Sequence, residues 1–308
     1  MTGRMEANVT GAGASRRLLA RALSEQASAS AQRLAASPPK LSGNAYRIGI
    51  TGPPGVGKSS MIGKLAALRL ERAKQIGVLA IDPTSPVSGG SLLGDRVRMD
   101  NVADNSGLFI RSLPSRQYMD GLCPNILGLL SSFDEAGFDE MILETVGVGQ
   151  INYAGRYLVD SFVLVLAPES GDTVQAMKGG ILETADIYVV NKADLPASER
   201  LEAELRSMAA WRGERDGWAP PVVLVSSIDG RGLDILDATI DRHRVTTQGA
   251  ARSAFLNGKR REYLLRALVQ YRFDEVLAQH ATSLEKMSVT AANAHILKLL
   301  GASVEATT

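Results

Sequence analysis

The run Gly52-Pro53-Pro54-Gly55-Val56-Gly57-Lys58-Ser59 constrains the fold of this chain more than any other part of its sequence. It follows a short apolar stretch, 46–50, and it opens a segment, 58–72, whose apolar residues recur at helical spacing. The glycines allow backbone N–H groups to turn towards a phosphate, and the start of the helix adds partial positive charge. This context predicts a strand, a phosphate-binding loop and a helix rather than an ordinary Gly/Pro turn.

Further apolar runs follow along the chain, and helical segments separate most of them. These runs are continuous rather than alternating, as in strands that are covered by helices on both faces. We therefore predict an α/β fold with a doubly wound, mostly parallel sheet. The predicted strands are 46–50, 77–81, 108–111, 140–143, 161–166, 187–190 and 222–225.

Helical patterns flank this region on both sides. Residues 14–35 are predicted to form one helix, and residues 250–300 carry apolar residues at helical spacing outside the sheet. We predict an N-terminal helical extension over 1–42, a P-loop domain over 43–248 and a C-terminal helical dimerisation arm over 249–308. The first residues contain several Arg, Ala and Ser, but we interpret them as a helical extension rather than a targeting segment.

The composition limits the possible partners. The net charge of +1 gives no global field for nucleic acid or an anionic membrane, and no apolar run is long enough to span a bilayer. The single cysteine, Cys123, excludes an internal disulfide and fits a reducing compartment. One cysteine and three scattered histidines leave no metal cluster of the zinc or nickel type. We expect a cytoplasmic protein without nucleic-acid or membrane partners.

The loop motif assigns roles to individual residues. Lys58 is the expected point charge for the β- and γ-phosphates of a nucleotide, and the Ser59 hydroxyl is an expected Mg²⁺ ligand. The Gly147 amide, in a switch position, is expected to sense the γ-phosphate. The predicted phosphate contacts are Gly52, Pro53, Pro54, Gly55, Val56, Gly57, Lys58, Ser59 and Ser60.

Three carboxylates are candidates for the same Mg²⁺ ion. Asp82 and Glu144 each end a predicted strand, and Asp95 lies in a loop after Gly89-Gly90. Ligands collect at this end of the strands in open α/β sheets, and Mg²⁺ prefers oxygen ligands. For each carboxylate, a helix cap or a solvated loop charge is the alternative interpretation.

The quartet Asn191-Lys192-Ala193-Asp194 directly follows a predicted strand. The Asp194 carboxylate can accept two hydrogen bonds from guanine, whereas adenine lacks that pair of donors. The Lys192 stem can lie along the base, and Ser226 and Ser227 are placed to contact the guanine oxygen through backbone N–H groups. The sequence therefore predicts a nucleotide site that prefers guanine, with GTP or GDP and Mg²⁺ as its ligands.

Phosphoryl transfer to water needs neutralised charge and a positioned nucleophile, and Lys58 and Glu144 belong to that set. Gln150 is a candidate for orienting water, with a structural role in the switch loop as the alternative. Arg98 and Lys178, like Arg96, are cations that could approach the γ-phosphate when a partner docks, or could remain solvated. This arrangement predicts slow hydrolysis that a partner accelerates.

Several longer stretches resemble one family, the MeaB/ArgK GTPases, over roughly residues 14–245. They are Ala-Ile-Asp-Pro-Thr-Ser at 80–85, Gly-Gly-Ser-Leu-Leu-Gly-Asp-Arg at 89–96, Glu-Thr-Val-Gly-Val-Gly-Gln at 144–150 and the loop 171–181. The resemblance implies a chaperone that uses GTP to gate cofactor loading into an adenosylcobalamin-dependent acyl-CoA mutase, and a homodimer joined by C-terminal helices. It also implies that Ser59, Asp82, Asp95 and Glu144 surround Mg²⁺ and that Lys178 belongs to an additional switch.

Two loops depart from that family's usual pattern, at 112–121 and at Ile151-Asn152. These departures leave the client open: methylmalonyl-CoA mutase, or a mutase acting on isobutyryl-, 2-hydroxyisobutyryl- or ethylmalonyl-CoA. Three other classes compete with this interpretation. A metallochaperone GTPase for nickel enzymes should carry Cys/His ligands, a small-molecule kinase should lack the guanine-binding quartet, and a pure binding module would have lost its catalytic residues.

Overall fold

The structure is a computed structural model that describes residues 3–73, 75–82, 107–115, 122, 125–145, 155–168 and 181–305. Seven strands form one sheet in the order β3-β2-β4-β1-β5-β6-β7, and every pairing is parallel. The prediction of a doubly wound parallel sheet is confirmed. The strands are β1 (Tyr46–Thr51), β2 (Ile76–Asp82), β3 (Leu108–Pro114), β4 (Glu140–Glu144), β5 (Ser161–Leu166), β6 (Ile187–Val190) and β7 (Val222–Leu224).

Helices cover both faces of this sheet, which explains why the strands are continuous apolar runs. On one face the core contains Ile62 of α3 and Leu236 of α6, and on the other it contains Leu129 of α4 and Leu205 of α5. The helices are α1 (Gly3–Ala27), α2 (Ala31–Ala36), α3 (Lys58–Leu70), α4 (Ile126–Glu135), α5 (Ser198–Arg212), α6 (Leu233–Thr247), α7 (Ala250–Leu284) and α8 (Val289–Glu305).

The single N-terminal helix predicted over 14–35 is wrong, because the chain breaks between α1 and α2. Ser30 is the N-cap of α2, and its hydroxyl accepts a hydrogen bond from the Arg33 N–H. A serine at this position satisfies a backbone donor that a new helix leaves unpaired, so it favours a fresh start over continuation. The Asn125 side chain donates to the Ala29 carbonyl at 3.1 Å and ties the break to the start of α4.

The helical tail is confirmed as α7 and α8. Arg260 of α7 joins this tail to the sheet: its guanidinium donates to the Asp160 carboxylate at 2.8 Å and to the Tyr157 carbonyl at 3.1 Å. Tyr271 lies about three turns beyond Arg260 on α7. It donates to the Ala29 carbonyl between α1 and α2 at 3.0 Å. The helices of the described residues are all too short or too polar to cross a membrane.

All strands run in the same direction, so the sheet has a carboxyl edge, where strands end, and an amino edge, where they begin. Arg69 of α3 is buried at the amino edge and donates to both oxygens of Glu140, at 2.6 and 2.8 Å. It also donates to Asp237 at 2.5 Å and to Asp241 at 2.9 Å. Burial alone would lower the pKa of Arg69, but the paired carboxylates of Glu140 and Asp241 outweigh it and raise that pKa. One guanidinium therefore joins α3, β4 and α6.

A second polar cluster at the amino edge surrounds His243 of α6. The Ser161 hydroxyl lies 2.6 Å from Nδ1 of this histidine and 2.6 Å from the Tyr46 hydroxyl. The Asp186 carboxylate lies 3.6 Å from Nε2, and the Trp218 ring packs edge-on. Burial lowers the pKa of His243 to about 4, and the Asp186 charge offsets this only in part. The imidazole is therefore neutral at physiological pH.

Candidate nucleotide-binding site

The phosphate loop lies at the carboxyl edge, between the end of β1 and the start of α3. Gly52 and Gly57 have φ angles of +153° and +87°, which disfavour any residue with a side chain. A Cβ atom at Gly52 would lie 2.0 Å from the Val165 carbonyl oxygen, and one at Gly57 would lie 2.6 Å from the Asn191 amide nitrogen. The two glycines are therefore required for close packing as well as for the turn.

Lys58 is the first residue of α3, and its side chain folds back over the loop. Its ammonium group donates to the Gly52 carbonyl at 2.8 Å and to the Pro53 carbonyl at 3.0 Å. These two bonds hold the ammonium charge next to the loop that the motif predicts to bind phosphate groups. A lysine placed this way supplies a compact positive charge beside the N-terminus of a helix, where anions bind favourably.

Oxygen-bearing side chains converge next to the loop. Ser59, in the first turn of α3, donates its hydroxyl hydrogen to Glu144 Oε1 at 2.9 Å. Glu144 ends β4 and Asp82 ends β2, the neighbouring strand, as the sequence predicted. All three side chains are buried.

A hydroxyl and two carboxylates fit Mg²⁺, which takes few protein ligands when phosphates and waters supply the others. Among the described residues, no group of three or more His, Cys, Asp or Glu side chains is placed to hold a metal by itself. Because Ser59, Asp82 and Glu144 leave the other coordination positions of Mg²⁺ to phosphate and water, these donors suit an ion that arrives with a phosphate ligand.

The base-binding quartet follows β6, at the same edge. Ser226, which follows β7, donates its hydroxyl hydrogen to the Asp194 carboxylate at 3.2 Å. The Ala193 N–H donates to the Val225 carbonyl at 3.0 Å, which fixes the quartet against the end of β7. Lys192 has a positive φ of 60°, so the chain turns sharply between Asn191 and Asp194. Asp194 itself is exposed at the rim, where a base could reach it.

Asn191 has a role that the sequence analysis missed. Its amide nitrogen donates to the Val56 carbonyl of the phosphate loop at 2.7 Å. Its amide oxygen accepts from the Ser227 N–H at 3.1 Å and from the Ser227 hydroxyl at 2.9 Å. Asn191 therefore connects the phosphate loop to the predicted base-binding segment, which comprises the quartet at 191–194 and Ser226-Ser227. The available signal was the residue type, since a buried asparagine has both donors and an acceptor to satisfy.

A contact between α3 and the base-binding segment was also not anticipated. Lys64 donates to the Ile228 carbonyl at 2.6 Å, just beyond Ser226 and Ser227. A surface lysine is usually a solvated charge, and nothing in the sequence distinguishes Lys64 from its neighbours.

Several predicted site residues lie outside the described part of the chain. They include the third carboxylate of the metal set, the switch glycine and the candidates for catalysis in the switch loops. The residues are Asp95, Arg96, Arg98, Gly147, Gln150 and Lys178. Of the sequence predictions, the structure thus brings together Gly52 to Ser60, Asp82, Glu144, the quartet at 191–194, Ser226 and Ser227 at one edge.

Comparison with known proteins supports the same family on independent grounds. The family model of the methylmalonyl-CoA mutase-associated GTPase MeaB matches residues 17–284. A Mycobacterium tuberculosis protein, named as a probable GTPase, is 42% identical over 213 residues, which cover 68% of this chain and 63% of that protein. The Escherichia coli GTPase ArgK is 37% identical over 207 residues, covering 65% of this chain and 62% of ArgK.

The mouse mitochondrial homologue of the methylmalonic aciduria type A protein is 36% identical over 192 residues, 61% of this chain and 46% of that one. The matched regions thus span less than two thirds of the length of these relatives. A crystal structure of an LAO/AO transport system kinase superposes with a TM-score of 0.61 over 93% of each chain, at 24% identity, which supports the fold. With its motifs at one edge of the sheet and the family model matching most of its length, the chain belongs to the MeaB family of methylmalonyl-CoA mutase-associated GTPases.

Proposed function

We propose that this chain binds GTP and GDP with Mg²⁺ and hydrolyses GTP to GDP and phosphate. The observation that carries the proposal is the buried hydrogen bond between the Ser59 hydroxyl and Glu144, next to the phosphate loop. The guanine-binding quartet lies at the same edge and is joined to that loop through Asn191. A phosphate cradle, oxygen ligands and a base-binding carboxylate together suit hydrolysis of a guanine nucleotide.

Each residue has a defined task in this proposal. Lys58 contributes positive charge at the phosphates, and the helix N-terminus of α3 contributes backbone N–H groups. Ser59, Asp82 and Glu144 hold the ion, and bound Mg²⁺ neutralises charge on the phosphate oxygens. Asp194 selects guanine. We retain Asp95 as a further ligand.

We assign γ-phosphate sensing to Gly147 and assistance during hydrolysis to Gln150, Arg98 and Lys178. These assignments follow from the sequence and from the family resemblance. Substitution of each residue in turn tests these assignments separately from the described part of the site.

The test compares GTP turnover by the full chain and by Glu144→Gln, which keeps the size of the side chain and removes its charge. Glu135→Gln, on the surface of α4, is the matched control. We expect the Glu144 variant to lose turnover by about 100-fold, as for other removed charge-stabilising groups, and the control to match the unaltered protein. Equal turnover by Glu144→Gln and the control would show that Glu144 does not belong to the hydrolytic site.

We also propose that the chain serves an adenosylcobalamin-dependent acyl-CoA mutase by gating cofactor loading. The family match over residues 17–284 supports this partner over the nickel-enzyme alternative, and the name of the mouse relative points the same way. The single Cys123 fits a cytoplasmic setting. Turnover of GTP should rise when a purified client mutase is added. A rate unchanged by methylmalonyl-, isobutyryl-, 2-hydroxyisobutyryl- and ethylmalonyl-CoA mutases alike would contradict the role.

Finally, we propose that residues 249–308 form a dimerisation arm, with 1–42 as an extension of the domain at 43–248. Leu265 and Val269 lie one turn apart on α7 and are 55% and 67% exposed, which is typical of a helix face that another chain covers. Light scattering of Val269→Glu should show a monomer where the unaltered chain is a dimer. Arg266→Glu, on the adjacent surface, is the control and should stay dimeric.

A further inference from the structure

A cavity of about 230 Å³ lies at the amino edge of the sheet, away from the nucleotide site. Its wall is formed by the start of β1, by the junction between α6 and α7 and by the first turns of α7. Among the residues that the structure describes, the lining contains four arginines and one carboxylate, Asp160. The arginines are Arg47, Arg244, Arg252 and Arg260.

Each of these arginines has a carboxylate partner, but the pairs of Arg252 with Asp216 and of Arg244 with Glu140 are long, at 3.4 and 3.5 Å. Arg47 is 1% exposed and donates through Nη2 to Asp134 at 2.7 Å, and Arg260 is 5% exposed and donates to Asp160 at 2.8 Å. Burial lowers the pKa of Arg260, and the neighbouring Arg47 charge lowers it further. The Asp160 and Asp134 carboxylates offset this only in part. Two buried guanidinium groups thus lie beside one another at the cavity wall, where an anion interacts favourably with both.

Three buried polar atoms of the lining residues have no hydrogen-bond partner among the described residues. They are Nη1 of Arg47, Nη2 of Arg252 and Oδ1 of Asn257. Such atoms are costly unless a ligand or water pairs with them. Two donors and one acceptor suit a hydrogen phosphate, which offers acceptor oxygens and one O–H donor, whereas an ionised carboxylate offers acceptors alone.

We propose that this cavity binds a small oxyanion of the phosphate class, with Arg47 and Arg252 as donors and Asn257 as acceptor. Arg47 belongs to β1, while Arg252 and Asn257 belong to α7. The bound anion therefore connects the sheet to the long C-terminal helix at the joint where the chain leaves α6. The site is separate from the phosphate loop and does not depend on the proposed hydrolysis of GTP.

The test is titration calorimetry of the full chain with inorganic phosphate, after saturation with Mg²⁺ and a non-hydrolysable GTP analogue. Arg252→Gln removes one donor from the cavity. Asp216→Asn is the matched control, because it removes the 3.4 Å ion pair of Arg252 with Asp216 and leaves the guanidinium in place. Since Arg252 is partly exposed, the variant should fold, which circular dichroism can verify.

We expect phosphate to bind the unaltered chain and Asp216→Asn equally, and Arg252→Gln at least about tenfold more weakly. Any phosphate that binds at the nucleotide site would be insensitive to Arg252, so the comparison remains valid whether or not the analogue fills that site. Absence of an Arg252-dependent component at millimolar phosphate would show that the cavity holds water only. Acetate that binds in the same Arg252-dependent way, without phosphate binding, would also overturn the assignment.

Discussion

The two edges of the sheet both carry buried polar side chains, yet they are organised differently. At the carboxyl edge, Ser59, Glu144 and Asn191 lie beside a loop whose N–H groups and lysine suit a ligand. At the amino edge, Arg69 is surrounded by carboxylates from β4 and α6. The comparison indicates that the side chains at the phosphate loop are placed to receive charge from outside, whereas the Arg69 cluster at the amino edge neutralises its own charge.

The largest expected effect is on stability, at the amino edge. Arg69→Met should lower the free energy of unfolding by about 3–5 kcal/mol, because it removes the buried counter-ion of Glu140 and Asp237. The contacts that remain to these carboxylates come from the partly exposed Arg244 and Arg72. Urea denaturation of the full chain measures this difference. Arg72→Met is the matched control, since the 52% exposed Arg72 also pairs with Asp237 and Asp241. We expect that control to cost about 1 kcal/mol or less. An equal decrease in the free energy of unfolding for Arg69→Met and Arg72→Met would contradict a special role for the buried guanidinium.

At the carboxyl edge we expect the reverse, a large loss of GTP turnover with a small loss of stability. Lys58→Ala should lower GTP turnover by about 10²–10³-fold, since it removes a charge aimed at the phosphates. Its unfolding curve should change less than that of Arg69→Met, because the Lys58 bonds to the Gly52 and Pro53 carbonyls are local to its own loop. Lys40→Ala, at an exposed lysine before β1, serves as the control for turnover. If Lys58→Ala destabilised the fold as much as Arg69→Met, the contrast between the edges would disappear.

The pH dependence of stability sharpens the comparison at His243. Its pKa is about 4 in the folded chain and about 6.5 when unfolded, so the unfolded state takes up the proton first as pH falls. Stability should therefore be fully present above pH 6.5 and should decrease towards pH 4, by on the order of 3 kcal/mol.

Denaturation curves across this pH range test the assignment. His243→Gln should flatten the decrease, whereas His280→Gln on α7 should leave it unchanged. If stability decreased towards pH 4 by the same amount in both variants, groups other than His243 would be responsible for the decrease.

The smallest expected effect concerns the link within the carboxyl edge. Asn191→Ala removes the bonds to Val56 and Ser227, so the phosphate loop and the base-binding segment lose their connection. We expect nucleotide affinity to fall roughly tenfold to 100-fold, in line with the loss of one or two buried hydrogen bonds. Fluorescence titration with a labelled nucleotide measures it. Ser227→Ala removes only one hydroxyl, so its nucleotide affinity should fall less. A larger fall in Ser227→Ala than in Asn191→Ala would show that Asn191 is not the residue that connects the two segments.

The carboxyl edge could be predicted from the sequence because its signals are local. A strand, a glycine-rich loop and a helix follow one another over about 25 residues, and the quartet at 191–194 directly follows a continuous apolar run. The amino edge could not be predicted, because its partners are distant in sequence. Arg69 lies 71 residues from Glu140 and 168 from Asp237, and no periodic pattern relates them.

The break between α1 and α2 shows a second limit of the sequence analysis. Apolar residues continue at helical spacing through 14–35, so periodicity favours one helix. The competing signal was the capping serine Ser30, which favours a new helix start. Asn125 and Tyr271 also donate to the Ala29 carbonyl and support the break. Such tertiary contacts cannot be inferred from a local pattern.

The most direct test of the account compares GTP and ATP binding to the full chain by titration calorimetry. The exposed Asp194 carboxylate, held by Ser226, should pair with guanine and remain unpaired beside adenine. We predict that GTP binds at least about 100-fold more tightly than ATP, and that Asp194→Asn removes most of that preference while Asp234→Asn leaves it intact. Equal affinities for GTP and ATP in the unaltered chain would contradict the assignment of the carboxyl edge as a guanine-nucleotide site.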